Sequence, residues 1–299
     1  MSKRITIFTD ADLDGAGCVL VLKWLFNEYN ITHNAVNERT FKEVFGNFIK
    51  SDEYAKSDIV YICDLNVLEQ DHDLLNHPKI FYIDHHAEPI NIPPALIGSS
   101  RLIREPSPSC TSLVYRTFKN KVTAALTDYQ KLLIALIDDY DSYTLKHQTS
   151  LQLNTIFYSL QRDRIQVFCD KFKEGFKGFD NHQNNVIRFH TLKVNQIFDG
   201  LEVFQANIPL NGRTYRVLST FADYAINEVA SHILKKHQGE ISIVINPKSN
   251  TVSFRKRKDT EYDISLLAKK LADGAGNSNA AGGKLTPQML TFSKLFKPL

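Results

Sequence analysis

Carboxylates and imidazoles recur in this sequence at the ends of apolar runs. Asp10, Asp12 and Asp14 follow RITIF, Asp64 closes DIVYICDL, and Asp84, His85 and His86 close KIFYIDHH. A further group, Asp138, Asp139 and Asp141, ends the stretch TDYQKLLIALIDDYDSY. So many acids gathered together would repel one another and raise their pKa values unless cations neutralised them. The pattern predicts bound metal. Oxygen-rich ligation with one or two imidazoles favours Mn²⁺ or Mg²⁺ over a sulfur-dominated zinc site. Two ions about 3.5–4 Å apart would share a carboxylate and could clamp the attacking and leaving oxygens of an in-line displacement at phosphorus. A cation also brings the pKa of water from ~15.7 toward ~7, which makes hydroxide available as a nucleophile.

Blander readings of the same residues are weaker. DADLDG matches the start of an EF-hand loop, but that loop requires Glu at the position held here by Val21, and a strand rather than a helix precedes it. The acids at 138, 139 and 141 could simply close a helix. Three carboxylates in a last turn oppose the helix dipole, however, and call for compensation such as a cation. The remaining histidines read as solvated or structural.

The elements that must carry these groups follow from the apolar periodicity. RITIF (4–8), DIVYICDL (58–65) and KIFYIDHH (79–86) read as buried strands, the last bounded by Pro78 and by Pro89, Pro93 and Pro94. GCVLVLKWLFNEY (17–29) reads as a helix, and AVNERTFKEV as a variable region. A helix opens near Ser109, a plausible N-cap beyond Pro106 and Pro108, and another covers 127–143. Short apolar strands separated by helices predict a parallel sheet covered on both faces, whose chemistry gathers beyond the carboxyl ends of its strands. From 150 to 199 the pattern stays helical but polar. The last hundred residues offer strands at 201–208, 213–221, 241–247 and 251–257 with helices at AINEVASHILKKH and ISLLAKKLA. The fold class is therefore α/β: a parallel-sheet domain over 1–180, a helical connector over 181–200 and a smaller mixed α/β domain over 201–299.

Composition is that of an ordinary globular chain, with 43% hydrophobic and 23% charged residues in 299. No run of about 18 apolar residues is present, and acidic residues interrupt the N-terminus before a signal-like stretch could form, so the chain reads as cytoplasmic with no membrane partner. Cys18, Cys63, Cys110 and Cys169 form no C-x-x-C pair and read as reduced, half-buried thiols. Residues 200–299 hold 14 Lys+Arg against 8 Asp+Glu, a balance of +6, leaving 22 against 25, or −3, for residues 1–199. An acidic front half suits metal and a basic back half suits an anionic substrate.

Assembled in order, these segments resemble the DHH family of phosphoesterases that carry a DHH-associated C-terminal domain. TDADLDGAGC is similar to the first family motif, CDLN to the second, YIDHH to the third and IDDYDSY to the fourth; SFRKRK and DGAGNSNAAGG resemble the strand arginine and the glycine-rich substrate motif. The resemblance implies that Asp10, Asp12 and Asp64 hold one Mn²⁺ (or Mg²⁺), and that Asp14, Asp64, His86 and Asp141, with Asp139 as the other candidate, hold a second. Asp84 would orient a neighbouring histidine, and His85 would contact the scissile phosphate or assist the leaving oxygen. Arg255, aided by Arg257, would grip a substrate phosphate, while Gly274, Gly276, Gly282 and Gly283 would let backbone approach the nucleotide. Asn277 stands where the family carries His, and cannot become cationic.

The activity implied is an exonuclease that degrades short single-stranded oligonucleotides to mononucleotides. The alternatives are a cyclic-dinucleotide phosphodiesterase, a 3′-phosphoadenosine 5′-phosphate phosphatase, or a non-catalytic scaffold. The partners implied are short RNA or DNA oligonucleotides or a nucleotide, and a homodimer is compatible with the pattern.

Overall fold

The computed structural model describes residues 3–86, 96–120, 125–276 and 278–299. Pro89, Pro93, Pro94 and Asn277 lie outside them. The chain divides into two compact units, Met1–Ile187 and Arg188–Leu299.

The first unit is built on five parallel strands: β1 (Arg4–Asp10), β2 (Asn30–Val36), β3 (Ile59–Cys63), β4 (Ile80–Asp84) and β5 (Leu102–Arg104), in the order β2-β1-β3-β4-β5. Its helices are α1 (Leu13–Leu25), α2 (Glu38–Phe48), α3 (Asp52–Lys56), α4 (Cys110–Phe118), α5 (Asp128–Asp141), α6 (Gln148–Ser159) and α7 (Arg164–Lys171), and α8 (Asn181–Asp199) runs on into the second unit. The central strands read as unbroken apolar runs because both of their faces are covered. Ile5, Ile7, Tyr61, Cys63 and Ile83 join residues of α1, α4 and α5 in one core, whereas Phe8, Val60, Ile62 and Tyr82 join Phe41, Phe45 and Phe48 of α2 in another. The period-2 alternation of a strand makes that division. Phe45 meets Phe8 edge-on at 4.8 Å between ring centres, an arrangement that aromatic quadrupoles favour.

Three elements of this unit, β2, α2 and α1, differ from the sequence expectation. The segment read as variable contains β2 and α2. β2 pairs with β1 alone and is largely unburied, so NITHNAV carries almost no apolar signal. α1 begins at Leu13 rather than Gly17, because Asp12 caps it by accepting a hydrogen bond from the Gly15 amide. Ser109 caps α4 as its sequence indicates, accepting from the Ser112 amide. The four cysteines are free and buried, not half-buried.

The second unit is a seven-stranded mixed sheet: β6 (Phe204–Leu210), β7 (Arg213–Phe221), β8 (Ile241–Asn246), β9 (Thr251–Lys256), β10 (Ala275–Gly276), β11 (Ala280–Lys284) and β12 (Lys297–Pro298), in the order β10-β11-β9-β8-β7-β6-β12. Only β7 and β8 run parallel. α9 (Ile226–His237), α10 (Ile264–Ala272) and α11 (Pro287–Ser293) complete it. The glycine-rich tail therefore supplies β10 and β11, strands that its composition does not mark. Among the described residues no helix is long and apolar enough to cross a membrane.

Candidate metal centre and its cleft

The strand order β2-β1-β3-β4-β5 reverses direction between β1 and β3, and ligands of open parallel sheets bind outside the carboxyl ends of the strands at such a switch point. The register delivers the acids there. Thr9 pairs with Cys63 and Cys63 with Ile83, so Asp10, Asp64 and Asp84 emerge side by side. Asp64 adopts φ +54°, a left-handed conformation that costs most residues energy but that Asp tolerates, and it turns the chain at the end of β3.

Each acid is treated differently by its surroundings. Asp14, almost wholly buried, accepts from the amides of Cys110 (2.7 Å) and Thr111 (2.8 Å), the first residues of α4, where the helix dipole welcomes negative charge. Asp138 accepts from the Ser109 and Ser112 hydroxyls, which ties α5 to the start of α4. Asp139 accepts from Thr144 Oγ1 (2.6 Å), Lys146 N (2.8 Å), His147 N (3.0 Å) and Ser150 Oγ (2.5 Å). Burial opposes its ionisation, but these donors hold it well below the usual carboxylate range. It is a loop anchor with its oxygens occupied, so the sequence assignment of Asp139 as a candidate metal ligand is corrected.

Asp64 and Asp141 are left differently. Asp64 Oδ2 is buried without a hydrogen-bond partner. Burial first, then the charges of Asp14 and Asp12, push Asp64 well above the usual range, and the same causes raise Asp141. Asp12 is pushed up to about 7 by burial, with Asp14 and Asp10 adding to it and the Gly15 amide and His86 opposing. Asp10, anchored by the Ala11 amide at 2.7 Å, is raised chiefly by burial. Such a cluster is costly as bare carboxylates and comfortable around cations.

The two histidines are held differently by their surroundings. His85 Nδ1 donates to the Ser107 carbonyl at 3.1 Å, which turns its Nε2 inward. That nitrogen stands 3.6 Å from Asp14 Oδ2, 3.5 Å from Asp64 Oδ1 and 3.5 Å from Asp141 Oδ2. An imidazole nitrogen and three carboxylates gathered so closely are the donor set of a hard divalent cation. Ligands that share one cation at about 2.1 Å stand roughly 3–3.5 Å apart, which these spacings match better than they match direct hydrogen bonds. Asp14, His85 and Asp141 form one such group, and Asp64, His85 and His86 another. His86 is half exposed and bonded through Nδ1 to Asp84 Oδ1 at 2.7 Å, with Asp84 itself fully buried. Burial would lower its pKa, but Asp84 outweighs that and raises it. Asp10 and Asp12 enter neither group of three.

Asp10, Asp64 and His86 open onto a cleft of about 360 Å³ together with Asn37, Arg39 and Asn66, residues that sequence reasoning passed over. They follow the ends of β2 and β3, so recognising β2 would have exposed Asn37 and Arg39. A larger hollow of about 440 Å³ abuts α5 through Leu136, Asp138 and Asp139 but reaches neither Asp64 nor the histidines at 85 and 86.

In the second unit, Arg255 lies on β9 and donates to Asn227 Oδ1 at 2.6 Å and to the Phe254 carbonyl at 2.7 Å. Arg257 is held by Asp259 at 2.5 Å. The glycines are filled by the protein's own backbone. A Cβ on Gly274 would lie 2.1 Å from Gly282 O, on Gly276 2.4 Å from Ala280 O, and on Gly283 2.3 Å from Ala272 O; only at Gly282 is the nearest atom, Val252 O, 3.4 Å away. Close strand and helix packing accounts for three of the four.

Residues 4–137 match the DHH family, N-terminal domain. Oligoribonuclease NrnB of Bacillus subtilis (strain 168) is 26% identical over 309 residues, covering 95% of this chain and 73% of that protein. Among solved structures, the pGpG-specific phosphodiesterase PggH of Vibrio cholerae shares the fold at TM-score 0.57 and 15% identity, over 97% of this chain and 96% of that one. RecJ of Thermus thermophilus in complex with Mn²⁺ shares it at TM-score 0.58 and 12% identity, over 98% of this chain and 51% of that one.

Proposed function

We propose a metal-dependent phosphodiester hydrolase that trims short single-stranded oligonucleotides to mononucleotides, a reading supported by the match of residues 4–137 to the DHH family, N-terminal domain. The observation that carries it is the cage around His85 Nε2, which joins carboxylates from three separate elements to an imidazole nitrogen and leaves Asp64 Oδ2 unpartnered. The likeness to an oligoribonuclease over 95% of the chain supports the substrate class.

Asp14, Asp64, Asp141 and His85 would hold one divalent ion, and Asp10 and Asp12 a second with Asp64 in common; Mn²⁺ is our assignment, with Mg²⁺ the other hard cation such ligands take. When bound, these ions polarise the phosphate and make water acidic enough to ionise near neutrality. The chain's own groups do the rest. His86, oriented by Asp84 and biased toward its protonated form, faces the cleft with a proton to give to the leaving oxygen. α4 fixes the Asp14 carboxylate so that its position costs no reorganisation during reaction.

The test is a substrate panel with the full chain and Mn²⁺ or Mg²⁺: end-labelled two- to five-mer RNAs and DNAs, cyclic dinucleotides and 3′-phosphoadenosine 5′-phosphate. Mononucleotides should accumulate from the oligomers. Consumption of the cyclic dinucleotide or the bisphosphate alone would overturn the reading.

A further inference from the structure

Tyr158 is the exposed half of an aromatic pair on α6. Its neighbour Phe157 is fully buried in the core, while Tyr158 is 52% exposed. The two rings meet edge to face at 5.4 Å and 86°. The Arg164 guanidinium lies over both, 5.0 Å from the Tyr158 centre and 5.4 Å from that of Phe157, and its Nε donates to the Leu160 carbonyl. An outward-facing phenol is thus clamped by a core ring and a cation, a rigid surface that costs little entropy to use.

Its position ties it to the acid cluster. Asn154 Nδ2 donates to the Tyr140 hydroxyl at 2.7 Å, and Tyr140 directly precedes Asp141. Tyr158 is one turn beyond Asn154, on the same side of α6. The electrostatics agree: after partial burial, the carboxylates of Asp12 and, more weakly, Asp10 push its hydroxyl up to about 12 against the pull of Arg164, so the ring stays neutral at working pH.

We propose that Tyr158, braced by Arg164, is the stacking platform for one nucleobase of the substrate beside the metal centre. The inference rests on the hydrolase reading and deepens it. Every base has a π-face, so such a platform holds any short oligonucleotide without reading its sequence. It also rewards a base-bearing substrate over a bare phosphodiester.

The experiment compares a dinucleotide with analogues in which either base is replaced by an abasic tetrahydrofuran residue. It uses the full chain with Mn²⁺ and the variants Tyr158→Ala and Tyr158→Phe. Tyr158→Ala should lower kcat/KM on the dinucleotide by about 5- to 150-fold, the range one base–aromatic stack spans, mostly through KM. It should leave one of the abasic analogues unchanged, whereas Tyr158→Phe should match the parent on all three. An equal loss on every substrate, no loss on any, or a Tyr158→Phe defect as large as that of Tyr158→Ala would overturn the platform. Affinity for a non-hydrolysable phosphorothioate dinucleotide, measured by calorimetry, separates the two claims. Base-dependent binding without turnover would refute the hydrolase reading alone, and base-independent binding would refute the platform. Melting temperatures of both variants should equal the parent's, since the ring is half exposed.

Discussion

Removing the charge of Asp12 while keeping its shape separates a metal centre from a merely structural acid cluster. Asp12 Oδ1 caps α1 through the Gly15 amide at 2.9 Å, and Asn caps as well as Asp, so Asp12→Asn preserves the helix start. What it removes is a carboxylate whose pKa rises on folding from 3.8 to about 7. An acid raised in this way binds its proton more tightly folded than unfolded. Its effect on stability therefore worsens as pH climbs from the lower value to the upper and levels off above. Linkage with those two values gives a cost of about 2 kcal/mol near pH 5 and about 4 kcal/mol near pH 8. Without metal, Asp12→Asn should be the more stable protein, by roughly 8–16 °C in Tm near pH 8 for a unit of this size, and by about half that near pH 5. Excess Mn²⁺ should narrow the gap at both pH values, because the parent gains about 2.7 kcal/mol at a hundred times Kd and the variant gains less. Thermal scans with EDTA or MnCl₂ at the two pH values read all four quantities, and oligonucleotide hydrolysis should fall with the metal shift. Parallel pH profiles for the two proteins, with identical Mn²⁺ shifts, would refute the reasoning.

Three further outcomes follow from the same geometry. His85→Ala should abolish most of the Mn²⁺-dependent rise in Tm, whereas His86→Ala should keep that rise and lose roughly 10²–10⁴-fold in kcat as a general acid does; the opposite pairing would restore the roles read from sequence. Asp139→Asn should cost about 2–3 kcal/mol in urea unfolding while leaving metal binding intact. Its parent carboxyl is held low, so that stability is present above the ordinary carboxylate pKa and lost as pH falls through the lower folded value, and the variant's deficit should shrink in acid. Gly283→Ala should destabilise the second unit by about 1–3 kcal/mol, because its Cβ would press on Ala272; a changed KM at unchanged stability would return that glycine to the substrate site.

What the sequence disclosed follows from how locally each feature is encoded. β1, β3 and β4 are buried on both faces and announce themselves as apolar runs, so their acidic ends, and the sheet edge that collects them, were readable. β2 is an edge strand with little to bury, and its concealment hid Asn37 and Arg39 as well. The glycine-rich tail misled in the other direction. Glycine permits close approach of any backbone, and here the approaching chain is mostly the protein's own, in β10, β11 and the end of α10.

Telling the acids apart depended largely on donors that lie far away in the chain. Asp14 has its oxygens positioned by amides 96 and 97 residues onward, and Asp138 by serines 29 and 26 residues back, whereas Asp139 is consumed by the loop that follows it. Asp64 keeps a buried oxygen without a partner, and Asp141 meets only the imidazole that the Ser107 carbonyl aims at it among the contacts that define the cage. Neighbouring acids in the fourth motif thus divide by hydrogen-bond supply: Asp138 and Asp139 are taken by donors, and Asp141 is the one we assign to a cation. No spacing rule could make that division, because Asp138, Asp139 and Asp141 look alike until the N-terminus of α4 and the loop after α5 have taken two of them.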